Sequence, residues 1–167
     1  MVAHKLAEGT HLGMFRCGGL HIDRPWEQRN FATPQYAMNY IHEGVGTFLD
    51  LRGGSYPLQP GSVLQRIPNV RHSIRWSTPV TFGVVALPVQ AWELLKLTGA
   101  VIHAQPVFYV GHDHELLGRF VRLGKALAKK PDQDFSQIVI QMLDLMRELH
   151  WRDKSTSANQ PIDTVII

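Results

Sequence analysis

Along the first 88 residues, apolar and polar positions alternate in short runs that Gly and Pro interrupt. Alternation of this kind places successive side chains on opposite faces of a strand. Runs rich in Val, Ile, Thr, Tyr and Phe predict strands near 11–17, 19–23, 35–43, 46–51, 62–67, 71–76 and 80–87. Their starts recur every roughly eight to twelve residues, the rhythm of an antiparallel sandwich or barrel.

After Pro88 the period lengthens. A short helix is predicted over 89–97, another strand over 106–110, and a helix from His112 or Asp113 to about Lys130. In that helix Leu116, Phe120, Leu123 and Leu127 recur at helical spacing. Pro131 and Asp132 make a turn, and Asp134, with Gln137 three residues on, has the form of a capping box opening a second long helix. Phe135, Ile138, Met142, Leu145 and Leu149 line one face of it, and Ile140 and Leu143 widen that face. So wide an apolar surface exceeds what one neighbour needs, which predicts a homodimer contact around Met142, Leu145 and Leu149. The polar run from Arg152 to Gln160 reads as a linker. At Pro161 an apolar segment restarts and reaches only Ile167, so a further unit is expected beyond it.

Composition narrows the class. With 167 residues, 44% hydrophobic and 19% charged, the chain suits one buried core. A net charge of +3 is too mild to mark a nucleic-acid surface. The basic face Arg119, Arg122, Lys125 and Lys129 of the first long helix reads as a solvated face. Cys17 is the single cysteine, so no internal disulfide can form. No apolar run approaches the ~20 residues of a membrane span, and the first residues have no signal-peptide core. A soluble, cytoplasmic protein without a membrane partner is expected.

The most informative stretch runs from Tyr36 to His72. A strand enters the turn Gly44-Val45-Gly46, a corner follows at Pro60-Gly61, and Pro68-Asn69-Val70-Arg71 leads into His72. This succession resembles the cupin barrel, and more closely the effector-binding domain of the AraC family of transcription regulators. The resemblance covers about 12–167. It implies a mainly β fold: a cupin-type double-stranded β-helix, jelly-roll-like, followed by two long antiparallel helices. The implied organisation is an N-terminal arm over 1–10, able to close over ligand; a cupin-like barrel over 11–110; a helical dimerisation region over 111–152; and a linker with the start of a helix-turn-helix unit over 153–167. DNA would be bound only through that further unit.

Metal-binding cupins draw two His and a Glu from the first motif and one His from the second. Here the Glu position is Ala37, the paired-His positions fall in Phe31-Ala32-Thr33, and only His72 matches. No metal and no cofactor are therefore expected in the barrel. His112-Asp113-His114 looks like a ligand run, but neighbouring side chains do not easily face one ion, so capping and exposure are expected instead. His42 should point away from the barrel interior, and His103 and His150 have no obvious partners.

Without metal, the interior is a small-molecule site. Strand alternation nominates Asn39, Ile41, Glu43, His72, Ile74, Trp76, Phe82 and Val84 as effector-binding candidates, although Ile41, Ile74, Phe82 and Val84 also read as plain core. The resemblance to an arabinose-responsive member, which carries a charged residue that hydrogen-bonds sugar just before the Gly-x-Gly turn, where this chain has Glu43 of opposite charge, puts a hydroxyl-rich effector such as a sugar, other than arabinose itself, among the candidates. Arg24-Pro25-Trp26 could form part of the barrel mouth. No catalytic residues are assigned and no enzyme is expected. The alternative is a metal-free cupin enzyme, such as a sugar isomerase or epimerase, with His72 and Glu43 as its acid–base pair. A plain binding or storage protein is the third class.

Overall fold

The computed structural model describes residues 2–5, 14–98, 105–129 and 134–158. Ten strands and three helices follow in the order β1 (Val2–Lys5), β2 (Met14–Ile22), β3 (Trp26–Phe31), β4 (Tyr36–Glu43), β5 (Gly46–Asp50), β6 (Ser55–Leu58), β7 (Ser62–Arg66), β8 (His72–Trp76), β9 (Val80–Leu87), α1 (Val89–Thr98), β10 (Val107–Tyr109), α2 (His114–Ala128) and α3 (Phe135–Ala158). They form a six-stranded sheet, ordered β1-β2-β9-β4-β7-β10, and a four-stranded sheet, ordered β3-β8-β5-β6. All paired strands are antiparallel. The mainly β barrel with C-terminal helices is the expected cupin-type fold.

Period-two alternation sorts the side chains into two cores. From β4, Tyr36, Met38 and Tyr40 join Val63, Val85 and Leu87 in a core shared with the helices. Ile41 joins Phe48, Leu58, Leu64, Ile74, Trp76, Phe82 and Val84 between the sheets. The six-stranded sheet is thus apolar on both faces, which explains why β4 reads as an almost continuous hydrophobic run.

Helix α2 lies on the outer face of this sheet. Asp113 caps it, its carboxylate accepting the Glu115 N–H at 2.9 Å. Leu116, Phe120, Gly124 and Leu127 are its buried residues. Two glycines set how closely it docks. A Cβ on Gly83 would stand 2.5 Å from the Phe120 ring, and one on Gly124 would stand 2.7 Å from the Cys17 carbonyl oxygen. Phe120 occupies the hollow over Gly83 and stacks on Tyr40, with ring centroids 6.3 Å apart. Burial pushes the Cys17 thiol up to about 12, and its S–H donates to the Phe120 carbonyl at 3.5 Å.

Several expected boundaries shift. The predicted strands 11–17 and 19–23 are one strand, β2, because Gly18-Gly19 admits α2 rather than making a turn: Val121 already lies 3.0 Å from where a Gly19 Cβ would be. The unpredicted β3 is largely polar, and the unpredicted β6 is four residues long with Pro57 at the edge of its sheet. The expected arm contains β1, which pairs with β2 at the sheet edge. Helix α3 continues to Ala158, so the first part of the expected linker is helical. Residues 159–167, with the predicted restart at Pro161, and His103 lie outside the described residues. No helix among the described residues is long and apolar enough to cross a membrane.

The stripe on α3 also has a different use. Met142, Leu145 and Leu149 are fully buried in the chain's own core, against the helix-facing side of the six-stranded sheet and α2. They are taken up internally and leave no surface for a second copy. Arg152, expected in the linker, donates to Asp113 at 2.8 Å and to Glu148 at 2.9 Å, and Glu148 also accepts from Arg119 at 2.6 Å. Part of the basic face of α2 therefore serves to join the two helices.

Candidate ligand-binding site

The register of the six-stranded sheet builds the site in rows. Arg16 on β2 pairs with Ala86 on β9, Ala86 with Ala37 on β4, and Ala37 with Arg66 on β7. The next inward-facing row contains Val84 and Asn39, and the third contains Leu20, Phe82 and Ile41. Neighbouring strands are about 4.8 Å apart, so three gaps separate the Arg16 and Arg66 backbones by roughly 14 Å. The two alanines between them leave open the space over which both long side chains reach.

The four-stranded sheet closes the other side in matching rows. Phe31 pairs with His72, Gln28 with Ile74, and Trp26 with Trp76. The Arg66 guanidinium lies 5.3 Å from the Phe31 ring centroid, while Trp76 stacks on Phe82 at 6.5 Å. The cavity between the sheets, about 210 Å³, therefore has a cationic end and an aromatic end. Leu20, Ile22 and Trp26 complete the aromatic end. Thr33 and Gln35 also line the cavity, and Gln35 donates to the Met14 carbonyl.

Four polar atoms on this wall are buried without a partner among the described residues: Arg16 Nε, Gln28 Oε1, Asn39 Oδ1 and Arg66 Nε. Leaving such an atom unpaired costs about 1–3 kcal/mol, more when it carries charge. Burial pushes the Arg66 guanidinium down to about 10. Two cations and two amides, preorganised around one space and short of partners, suit a ligand that is anionic at one end and apolar at the other.

The predicted residues divide. Asn39, Trp76, Phe82 and Val84 line the cavity. Ile41 and Ile74 are buried among the apolar side chains between the sheets and are not on its wall. Glu43 is exposed beyond a register shift in β4 and accepts from the Thr81 hydroxyl at 3.2 Å, so the sugar argument resting on it loses its residue. His72 is buried between Phe31 and Phe48 at centroid distances of 5.7 and 5.2 Å, and its Nδ1 lies 3.2 Å from the Val70 carbonyl oxygen. Burial holds its imidazole below the usual range.

His72 and Glu43 do not meet. Strand β5 pairs Gly46 with Trp76 and Asp50 with His72, so His72 sits four residues, roughly 13 Å, from the end where Glu43 leaves its strand. An acid–base pair needs both groups within hydrogen-bond reach of one substrate. Nor do the residues fit a cupin metal: Thr33 and Ala37 face the cavity where ligands would be needed, leaving His72 as the single match to the ligand set.

The strand pattern of the sequence does not single out Arg16, Gln28 or Arg66 as site residues. Arg16 stands on the strand that Gly18-Gly19 appeared to split, and Gln28 on a strand without an apolar face. Arg66 did carry a signal. It shares the face of Leu64 by alternation, and a lone cation in phase with a core position is unusual in a buried strand.

A family model described as AraC-like ligand binding domain matches residues 22–155. No curated protein matches significantly. Among solved structures, ToxT from Vibrio cholerae O395, bound to (E)-4-(8-methylnaphthalen-1-yl)but-3-enoic acid, is similar over 89% of this chain and 61% of its own, at 13% identity and a TM-score of 0.52. Apo ToxT from Vibrio cholerae strain SCE256 is similar over 89% and 60%, at 11% identity and a TM-score of 0.51. An RmlC-like cupin protein from Desulfovibrio desulfuricans is similar over 53% of this chain and 97% of its own, at 17% identity and a TM-score of 0.37. The chain thus spans about 60% of the length of the ToxT structures. Matched by the family model over most of its length, the chain belongs to the AraC-like ligand-binding domain family.

Proposed function

We propose that this chain is the effector-sensing part of an AraC-type transcription regulator, and that its effector is a compact organic acid. The carrying observation is the row Arg16-Ala86-Ala37-Arg66, with both guanidinium Nε atoms buried and without a partner among the described residues. A carboxylate between the arginines accepts charge-assisted hydrogen bonds, Asn39 and Gln28 hold further polar groups, and Leu20, Trp76 and Phe82 take an apolar body. The cavity, about 210 Å³, is below the roughly 300–1,000 Å³ of drug-sized ligand pockets, which favours a small acid. A sugar carrying a carboxylate shares this head group and stacks on Trp76. The ligand named for one ToxT structure is also an acid.

In this reading the chain is not an enzyme, and DNA is bound by a separate helix-turn-helix unit of the whole regulator. Homodimerisation is retained, with its contact moved to the outer face of α3. Ile140 and Trp151 are 51% and 68% exposed there, and stand eleven residues apart, about three turns, on one side.

A thermal-shift panel tests the effector class. Small carboxylic acids, their neutral amides and neutral monosaccharides are compared at equal concentration. An acid at about 100 times its Kd should stabilise the chain by about 2.7 kcal/mol, and the matching amide should not. Stabilisation by amides and neutral sugars equal to that by acids would remove the arginine-based assignment.

A further inference from the structure

Outside the barrel, three histidines from two separate segments converge. His42 projects from β4 on the same face as Tyr40, and His112 and His114 flank the cap of α2. Their ring centroids are 5.3 Å (His42–His112), 5.8 Å (His42–His114) and 4.5 Å (His112–His114) apart. One ring nitrogen from each lies within 4.8 Å of the others. The His42 Nδ1 is buried and has no partner among the described residues.

We propose that His42, His112 and His114 bind one divalent transition ion of the zinc, nickel, cobalt or copper class. The local backbone holds these rings together. The Tyr40 hydroxyl donates to the Asp113 carbonyl at 3.1 Å and accepts the Asp113 N–H at 2.8 Å, clamping the middle of the His-Asp-His run to β4 two residues before His42. Gly111, at φ +89°, turns the chain into the run. Gly61 lets it approach closely, since a Cβ there would stand 2.8 Å from the His112 nitrogen. His112 and His114 share one side of the segment because Asp113, between them, turns the other way, to cap α2 and pair with Arg152.

Metal chemistry suits the donor set. Zinc–imidazole bonds are about 2.0–2.1 Å, so a tetrahedral ion holds its nitrogens about 3.3 Å apart. Closing from 4.8 Å asks for a small swing of the two exposed rings, His112 and His114, toward the half-buried His42. Three imidazoles leave a fourth position for water or an exogenous group, and the absence of carboxylates from the set disfavours magnesium and calcium. The positive end of α2 points at the site, and the carboxylates of Asp113 and Glu115 offset it. A bound ion would tie the barrel to the first turn of α2, and through Asp113 and Arg152 to α3.

The test uses this chain without a histidine tag. Cobalt(II) is titrated and read by visible absorption, with zinc competition and metal analysis after dialysis, and magnesium as the control ion. One equivalent of cobalt in a low-coordinate nitrogen site, displaced by zinc, is expected. His42→Gln and His112→Gln should each weaken binding at least about 100-fold, while His21→Gln, outside the cluster, should not. His112 is exposed, so its variant keeps the test intact if His42→Gln fails to fold. Absence of stoichiometric binding, or binding that His112→Gln leaves unchanged, would overturn the site.

Discussion

Replacing Arg66 by Met should stabilise the ligand-free chain while removing its response to acids. The guanidinium is buried over Phe31, its Nε has no partner among the described residues, and burial pushes it down to about 10. At about 1.4 kcal/mol per tenfold change in proton affinity, that depression corresponds to on the order of 3 kcal/mol set against the charged form. The Arg66→Met change removes this penalty and keeps most of the side-chain volume. It also removes the cation–π contact with Phe31, worth about 1 kcal/mol. The net gain is about 2 kcal/mol, or a Tm rise of roughly 4–8 °C for a chain of this size. Differential scanning calorimetry of the ligand-free protein reads the shift, and the acid panel on the same variant reads the loss of ligand stabilisation. A variant less stable than the wild type by more than 1 kcal/mol would mean that Arg66 is a satisfied structural residue, refuting the idea of a cation held ready for a ligand.

Four further outcomes follow from the packing and charges. Gly83→Ala places a methyl 2.5 Å from the Phe120 ring and should cost about 1–3 kcal/mol in chemical denaturation, with part recovered by adding Phe120→Leu. Leu145→Asp should unfold the chain rather than produce a folded monomer, since Leu145 is fully buried; circular dichroism distinguishes the two. Trp151→Glu should leave the fold intact and shift a dimer to monomer in sedimentation, and an unchanged dimer would move the contact elsewhere. His72 titrates below its unfolded range, so the unfolded chain binds the extra proton first and stability falls as pH drops below about 6.5. Denaturant melts of His72→Asn across pH 5–7.5 should show a flatter acid limb than the wild type, and parallel limbs would contradict that assignment.

The fold was readable where pattern and packing agree. The alternation in β4 assigned Ala37, Asn39 and Ile41 to the interior and His42 to the outside, because both faces of that strand are buried by different layers. It failed where a local signal had a tertiary cause. Gly18-Gly19 resembles a turn in sequence, and it is the seat of α2. The broad apolar face of α3 resembles an interface, and it is needed because the helix packs on the sheet as well as on α2. Nothing in a short polar segment announces β3, which exists because β8 offers it an edge.

The site was half legible. Its apolar wall followed from phase alone, whereas its cations required register across four strands. Glu43 was nominated by position, but a register shift at the end of β4 turns it to the surface. Arg16 and Arg66 line one cavity at the same level because β9 and β4 place Ala86 and Ala37 between them, a coincidence of pairing that no single strand records. The three histidines pose the same difficulty, being 70 residues apart in sequence between His42 and His112 and joined by the Tyr40–Asp113 clamp.

The most direct test of the acid-binding site is nitrogen-15 NMR of the arginine Nε–H groups, with Arg16 and Arg66 assigned by substitution, during titration with the best acid from the panel. Both resonances should move together and saturate with a common Kd, becoming protected from solvent exchange as the carboxylate pairs with them. Saturable acid binding that leaves both resonances in place would put the ligand elsewhere and contradict the account.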